Sequence, residues 1–164
     1  MALGRSSIRL PWGKFKRRLY EGGRPGPLAR LLNRGFAAVH AARIAPDHWV
    51  TLEVVGRRSG RTISFPLVMV LLDGERYLVS MLGRDAAWVR NVKADAGRAV
   101  LRHGGAEPVR LEELPIEQRA PVLKAYLQRA PGARPHIPVD KDAPLEEFAA
   151  IAERIPVFRV LAAV

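Results

Sequence analysis

Gly56-Arg57-Arg58-Ser59-Gly60-Arg61 places three arginines within five residues, in a glycine-bounded turn between two stretches rich in Val, Leu and Ile. Guanidinium forks stay charged and grip a phosphate or carboxylate with paired hydrogen bonds. Two glycines can take positive φ and turn backbone N–H groups toward a common point. The turn therefore reads as an anion receptor. The alternative is a solvated hairpin whose arginines keep a sheet edge soluble, and composition does not decide between them.

A second constellation runs from Ser80-Met81-Leu82 through Gly83-Arg84-Asp85 to Trp88 and Asn91. With Asp85 as N-cap of a short helix, Trp88 and Asn91 stand three apart on one face, a flat aromatic beside an amide that suits a heterocyclic ligand. The competing reading is a core Trp with Asn91 bonded to backbone. Neither a nucleoside-triphosphate loop nor a dinucleotide fingerprint occurs. His40, His48, His103 and His136 lack ligand spacing, and no paired-carboxylate signature or nucleophile elbow is present. No metal and no side-chain catalytic set is expected, so the chemistry of an enzyme here falls to a bound cofactor.

The elements that would position these residues follow from periodicity. WVTLEVVG, SFPLVMVLL, RYLVSML, AVLRH and PVRLEEL read as strands with short connections, and Asp73-Gly74 closes a hairpin between the second and third. A helix is expected from Pro27 to about Arg43, a short one over DAAWVRNVKADAG, one opened by Pro121 and stopped by Pro131 and Gly132, and a last one over PLEEFAAIAERI. The proline-bearing stretch 131–144 reads as an extended surface connection, and PVFRVLAAV as one more strand. The economical architecture is α+β: an antiparallel, barrel-like sheet with flanking helices.

At 164 residues, with 48% hydrophobic and 26% charged residues, the chain is one ordinary domain (27–164) behind a basic N-terminal arm (1–26). Of the net charge of +11, residues 1–35 supply +8, nine Lys or Arg against Glu21 alone. Such an arm can serve nucleic acid, a membrane surface or an anionic ligand, and charge alone does not choose. Its apolar residues interleave with cations, which suits a membrane interface, although Pro11 and Gly13 interrupt any helix and favour a tail docked on the domain. The sequence holds no cysteine, signal-peptide core or membrane-spanning run, which points to the cytoplasm.

The run WVTLEVVGRRSGRTISFPLVMVLLDGERYLVSML, followed by Trp-x-x-Asn at Trp88 and Asn91 and a new strand at Arg98, resembles the deazaflavin-dependent nitroreductase and quinone reductase family known from actinobacteria. The resemblance covers about residues 48–110. It implies a split β-barrel like that of flavin mononucleotide-binding proteins, and use of reduced coenzyme F420. It further implies hydride transfer from C5 of the reduced ring to a small electron acceptor: a quinone, an activated alkene or a nitroaromatic. By the same resemblance Arg57, Arg58, Ser59, Gly60 and Arg61 would contact the cofactor's phosphate and oligoglutamyl tail, while Ser80, Met81, Leu82, Trp88 and Asn91 would form the wall beside the ring. A homodimer is expected by analogy of fold, nucleic acid is disfavoured as a partner, and the arm offers peripheral membrane contact.

Three departures stand out. Ile63 occupies a position where many relatives carry another base, a role Arg84 or the arm could assume. The segment between Ser80 and Trp88 is short and reads Ala86-Ala87-Trp88-Val89 where the best-known members have Pro-x-Trp-Tyr. In the C-terminal third Tyr126 is the only tyrosine to set against the family's substrate tyrosines. The alternative reading is a split-barrel binding protein for flavin mononucleotide or an apolar ligand such as a fatty acid, without reductase activity.

Overall fold

The computed structural model describes residues 48–163. The basic arm at 1–26 and the helix expected over 27–43 lie outside them. Six strands, β1 (Trp49–Val55), β2 (Thr62–Leu72), β3 (Glu75–Val79), β4 (Arg98–Arg102), β5 (Ala106–Glu113) and β6 (Val157–Ala162), form a closed antiparallel barrel in the order β1-β2-β3-β6-β5-β4. Pairing of Thr51 with Arg102, Leu52 with Leu101 and Glu53 with Val100 closes β4 onto β1. Helices α1 (Ala87–Ala94), α2 (Arg119–Arg129) and α3 (Leu145–Ile151) flank it. The expected α+β split barrel is therefore the observed fold.

The period of two sorts each strand between two cores. Val50, Leu52, Val54, Phe65, Leu78, Leu101, Val109, Leu111, Phe158 and Val160 line the barrel interior, where α1 adds Trp88, Val89 and Val92. The alternate residues Val70, Tyr77, Val79 and Val157 face outward and are buried under α2 and α3 with Leu123, Tyr126, Leu127 and Phe148. Asp73 (φ +52°) and Gly74 (φ +79°) both take the left-handed conformation that a two-residue hairpin requires.

Several local expectations change. Helix α1 starts at Ala87 with Ala86 as an N-cap that makes no side-chain cap bond, so Asp85 lies exposed one residue outside it. The cause is the turn before it: Gly83, at φ +84°, donates its N–H to the Ser80 carbonyl, which ends β3 at Val79 rather than at Leu82. Helix α2 opens at Arg119, two residues before Pro121, whose missing N–H falls in the first turn, where those groups have no helical partner. Residues 131–144 coil rather than extend, because Ala133 and His136 donate to carbonyls three residues back and Ile137 to one four back, and Ala133, Ile137 and Ala143 are buried against α2 and α3.

Gly97 (φ +83°) is the closest backbone approach: a Cβ there would lie 2.5 Å from the Leu111 carbonyl oxygen. Gly97→Ala combines left-handed strain with that clash, and a loss of about 2 kcal/mol is expected, read as a fall in Tm of roughly 4–8 °C.

The barrel end away from the β1–β2 turn is crossed by a bidentate pair, Arg76 Nη1 and Nη2 donating to Glu107 at 2.8 and 2.7 Å. Arg76 and Glu107 follow the inward register of Leu78 and Val109, so they reach each other across the mouth. The hydrogen bond to Arg76, and then its charge, hold the Glu107 carboxyl below its ordinary range against partial desolvation. A lowered folded-state pKa stabilises above the unfolded carboxyl value, and that stability is lost as pH falls through the folded one. Side-chain exposures of 29% and 46% leave the pair screened by solvent, so Glu107→Gln should cost about 1 kcal/mol at pH 7 and progressively less as pH falls through the folded-state value, measured by urea unfolding over an acid pH series.

Candidate functional site

The arginine turn is built from its own backbone. Gly56 N–H donates to the Arg61 carbonyl and Gly60 N–H to the Gly56 carbonyl, each at 2.8 Å, and Gly60 takes φ +65°. Ser59 Oγ accepts from the Arg61 N–H at 3.3 Å. Gly56, which as a glycine can take positive φ, does not adopt it. A Cβ there would meet Ser59 Oγ at 2.6 Å, Ile63 Cδ1 at 2.9 Å and the Arg61 carbonyl oxygen at 3.3 Å, so the Ser59 and Ile63 side chains would have to shift to admit one.

The three guanidinium groups differ in employment. Arg57 donates both its backbone N–H (3.3 Å) and its Nη1 (3.0 Å) to Asn91 Oδ1 on α1. Arg58 and Arg61 are exposed and form no ion pair or side-chain hydrogen bond among the described residues. Two exposed cations without a carboxylate partner among the described residues have their hydrogen-bond donors available to an external anion.

The expected ring wall divides. Ser80 is buried, donates its Oγ–H to the Gly83 carbonyl at 2.7 Å and its N–H to the Pro156 carbonyl at 3.0 Å, so it staples the loop between β3 and α1. Met81 packs with the outer cluster under α2 and α3, whereas Leu82 packs with the barrel interior beside α1. Trp88 is 5% exposed and meets Phe158 edge-on at 5.3 Å, as a core aromatic does. Asn91 is 3% exposed, and its oxygen serves Arg57. Thus Arg57 and Asn91 are brought together, Leu82 and Trp88 share one cluster, and Ser80 and Met81 face elsewhere.

Arg84 donates to the Glu153 carbonyl at 3.2 Å, which ties it to the α3–β6 connection, whereas Ile63 stands on β2. At the rim next to the turn, Val55 and Ile63 remain 45% and 37% exposed, Ile63 in the inward register of Phe65 and Val55 in the outward register of Thr51 and Glu53. Sequence reasoning missed the chain that fixes α1 from its other side: Lys93 Nζ contacts Glu113 Oε2 at 2.6 Å, and buried Arg119 donates to Glu113 Oε1 at 3.0 Å, to the Leu114 carbonyl at 2.9 Å and to that of Ala152 at 3.0 Å. No periodicity marks that chain, because each partner comes from a different element. No group of three potential metal ligands occurs among the described residues, and no helix there is long and apolar enough to cross a membrane.

The family model for F420H(2)-dependent quinone reductases matches residues 32–140, about two thirds of the chain, including the turn and all of α1. The chain belongs to the F420H2-dependent quinone reductase family. It is accordingly an F420H2-dependent reductase, with reduced coenzyme F420 as its cofactor. No curated protein sequence matches it. Among solved structures, a chain described as a domain-swapped dimer shares 22% identity at a TM-score of 0.52, covering 92% of this chain and 99% of that one. The F420-H2 dependent reductase FDR-A shares 26% identity over 69% of this chain and 93% of its own, at a TM-score of 0.48. A conserved hypothetical protein of Mycobacterium tuberculosis, Rv2991, shares 17% identity over 77% and 80% of the two chains, at 0.51. The residues of this family member fit its cofactor on one structural ground: unpaired Arg58 and Arg61 are what an anionic tail requires.

Proposed function

We propose that this quinone reductase family member reduces an electron-poor acceptor, a quinone, an activated alkene or a nitroaromatic, with Arg58 and Arg61 gripping the anionic tail of F420. The observation that carries the reading is the pair of exposed, unpaired guanidinium groups on a turn whose backbone is closed by its own hydrogen bonds. Ser59, whose oxygen already accepts from the Arg61 N–H, keeps its hydroxyl proton for a tail oxygen, and Gly60 allows close approach of backbone to the tail. When bound, reduced F420 supplies a hydride from C5 of its ring. The protein's part is to orient donor and acceptor and to exclude water, for which half-exposed Ile63 at the rim and the interior below it, with Leu82 and Trp88, are suited.

The remaining assignments belong to the same proposal. Residues 27–164 form one domain behind the basic arm, the protein is cytoplasmic with the arm available for peripheral membrane contact, and the chain pairs as a homodimer, for which the domain-swapped neighbour is support.

Anaerobic mixing of the protein and reduced F420 with a panel of quinones, enones and nitro compounds tests the reading. Saturable, protein-dependent return of the oxidised cofactor's absorbance with at least one acceptor class is expected. Cofactor binding without turnover on any of the three classes would remove the acceptor assignment.

A further inference from the structure

Asn91 lies 34 residues from Arg57, yet its carboxamide oxygen accepts from both the Arg57 backbone N–H and the Arg57 guanidinium. Both Arg57 groups are donors, so only the oxygen of the amide can face them, which fixes the orientation of the side chain. The hydrogen bonds of Gly56, Gly60 and Arg61 in the turn are internal to it and do not determine where the turn stands relative to the rest of the site. Beyond the turn's continuity with β1 and β2, the bond to Asn91 ties it to α1, which is anchored by Trp88, Val89 and Val92 in the barrel interior and by Lys93 on Glu113.

We propose that Asn91 is a positioning residue: by holding Arg57, it sets where Arg58 and Arg61 stand relative to α1 and the barrel mouth. This rests on the reading of Arg58 and Arg61 as the tail grip. Of the three arginines, one is a strut and two are receptors, so the turn contributes two cations to the ligand. Asn91 contributes through Arg57, with no contact to the reacting atoms demanded of it.

Hydrogen exchange on the cofactor-free full chain, combined with a double-mutant cycle on F420 binding, tests this. Asn91→Ala should speed exchange of the Arg57 amide about tenfold, the loss of one part-buried bond, and leave the amides of β1 and β6 unchanged. Asn91→Asp keeps the acceptor oxygen and should restore Arg57 protection. Asn91→Ala should weaken F420 binding about tenfold with kcat at saturating cofactor little changed, and in an Arg57→Ala background the same change should add less than about twofold. Should Asn91→Ala fail to fold, Arg57→Ala alone is read, with faster exchange at Gly60 and weaker cofactor binding expected. Unchanged Arg57 exchange in Asn91→Ala, or fully additive effects of the two substitutions on affinity, would overturn the proposal. Because exchange is measured without cofactor, it decides the strut even where F420 fails to bind.

Discussion

Replacing Arg58 and Arg61 together by alanine is expected to weaken F420 binding by about 2–4 kcal/mol, roughly 30- to 1000-fold, because the tail then loses both of its charge-assisted donors. Neither guanidinium has a partner among the described residues, so their removal breaks no internal ion pair, and Tm should stay within about 1 °C of the parent. The wild-type affinity should fall with added salt and the double variant's much less, because the screened charges are those removed. Fluorescence titration at two ionic strengths reads both effects. An unchanged Kd would assign the tail elsewhere.

Trp88→Ala is expected to be the largest stability loss, about 3–5 kcal/mol, since it empties an indole-sized volume between α1 and Phe158. At this chain length that lowers Tm by roughly 6–20 °C. Trp88→Phe keeps an aromatic in the same pocket and should recover most of it. A Trp88 that served only as a ligand wall would give the opposite pattern, weakened binding with Tm preserved.

Much of this was legible in the sequence where local rules suffice. The alternation of Val50, Leu52 and Val54 names an inward face without knowledge of any partner, and Asp73-Gly74 announces its hairpin by backbone preference. The arginine turn showed itself by composition. Illegible were features set by long-range closure. Nothing local in Thr51-Leu52-Glu53 says that β4 will pair with it and seal the barrel. Nothing in Glu107 says that it will meet Arg76 across the mouth. The division of labour among Arg57, Arg58 and Arg61 also needs the structure, because it depends on an amide 34 residues from Arg57. Asp85 misled for a physical reason: it has the chemistry of a cap, but the Ser80–Gly83 turn delays the helix past its reach.

On the function proposed above, two exposed guanidinium groups on the β1–β2 turn hold the cofactor by its anionic tail. The most direct test compares, by fluorescence quenching, binding of whole F420 with binding of its deazaflavin chromophore lacking the phosphate and glutamyl tail, for the parent protein and the Arg58→Ala/Arg61→Ala variant. Tight binding of whole F420 by the parent is expected, with a loss on removing the tail about equal to that of the double substitution, and no further loss when the two are combined. Equal affinity of the parent protein for the tailed and tailless forms would contradict it.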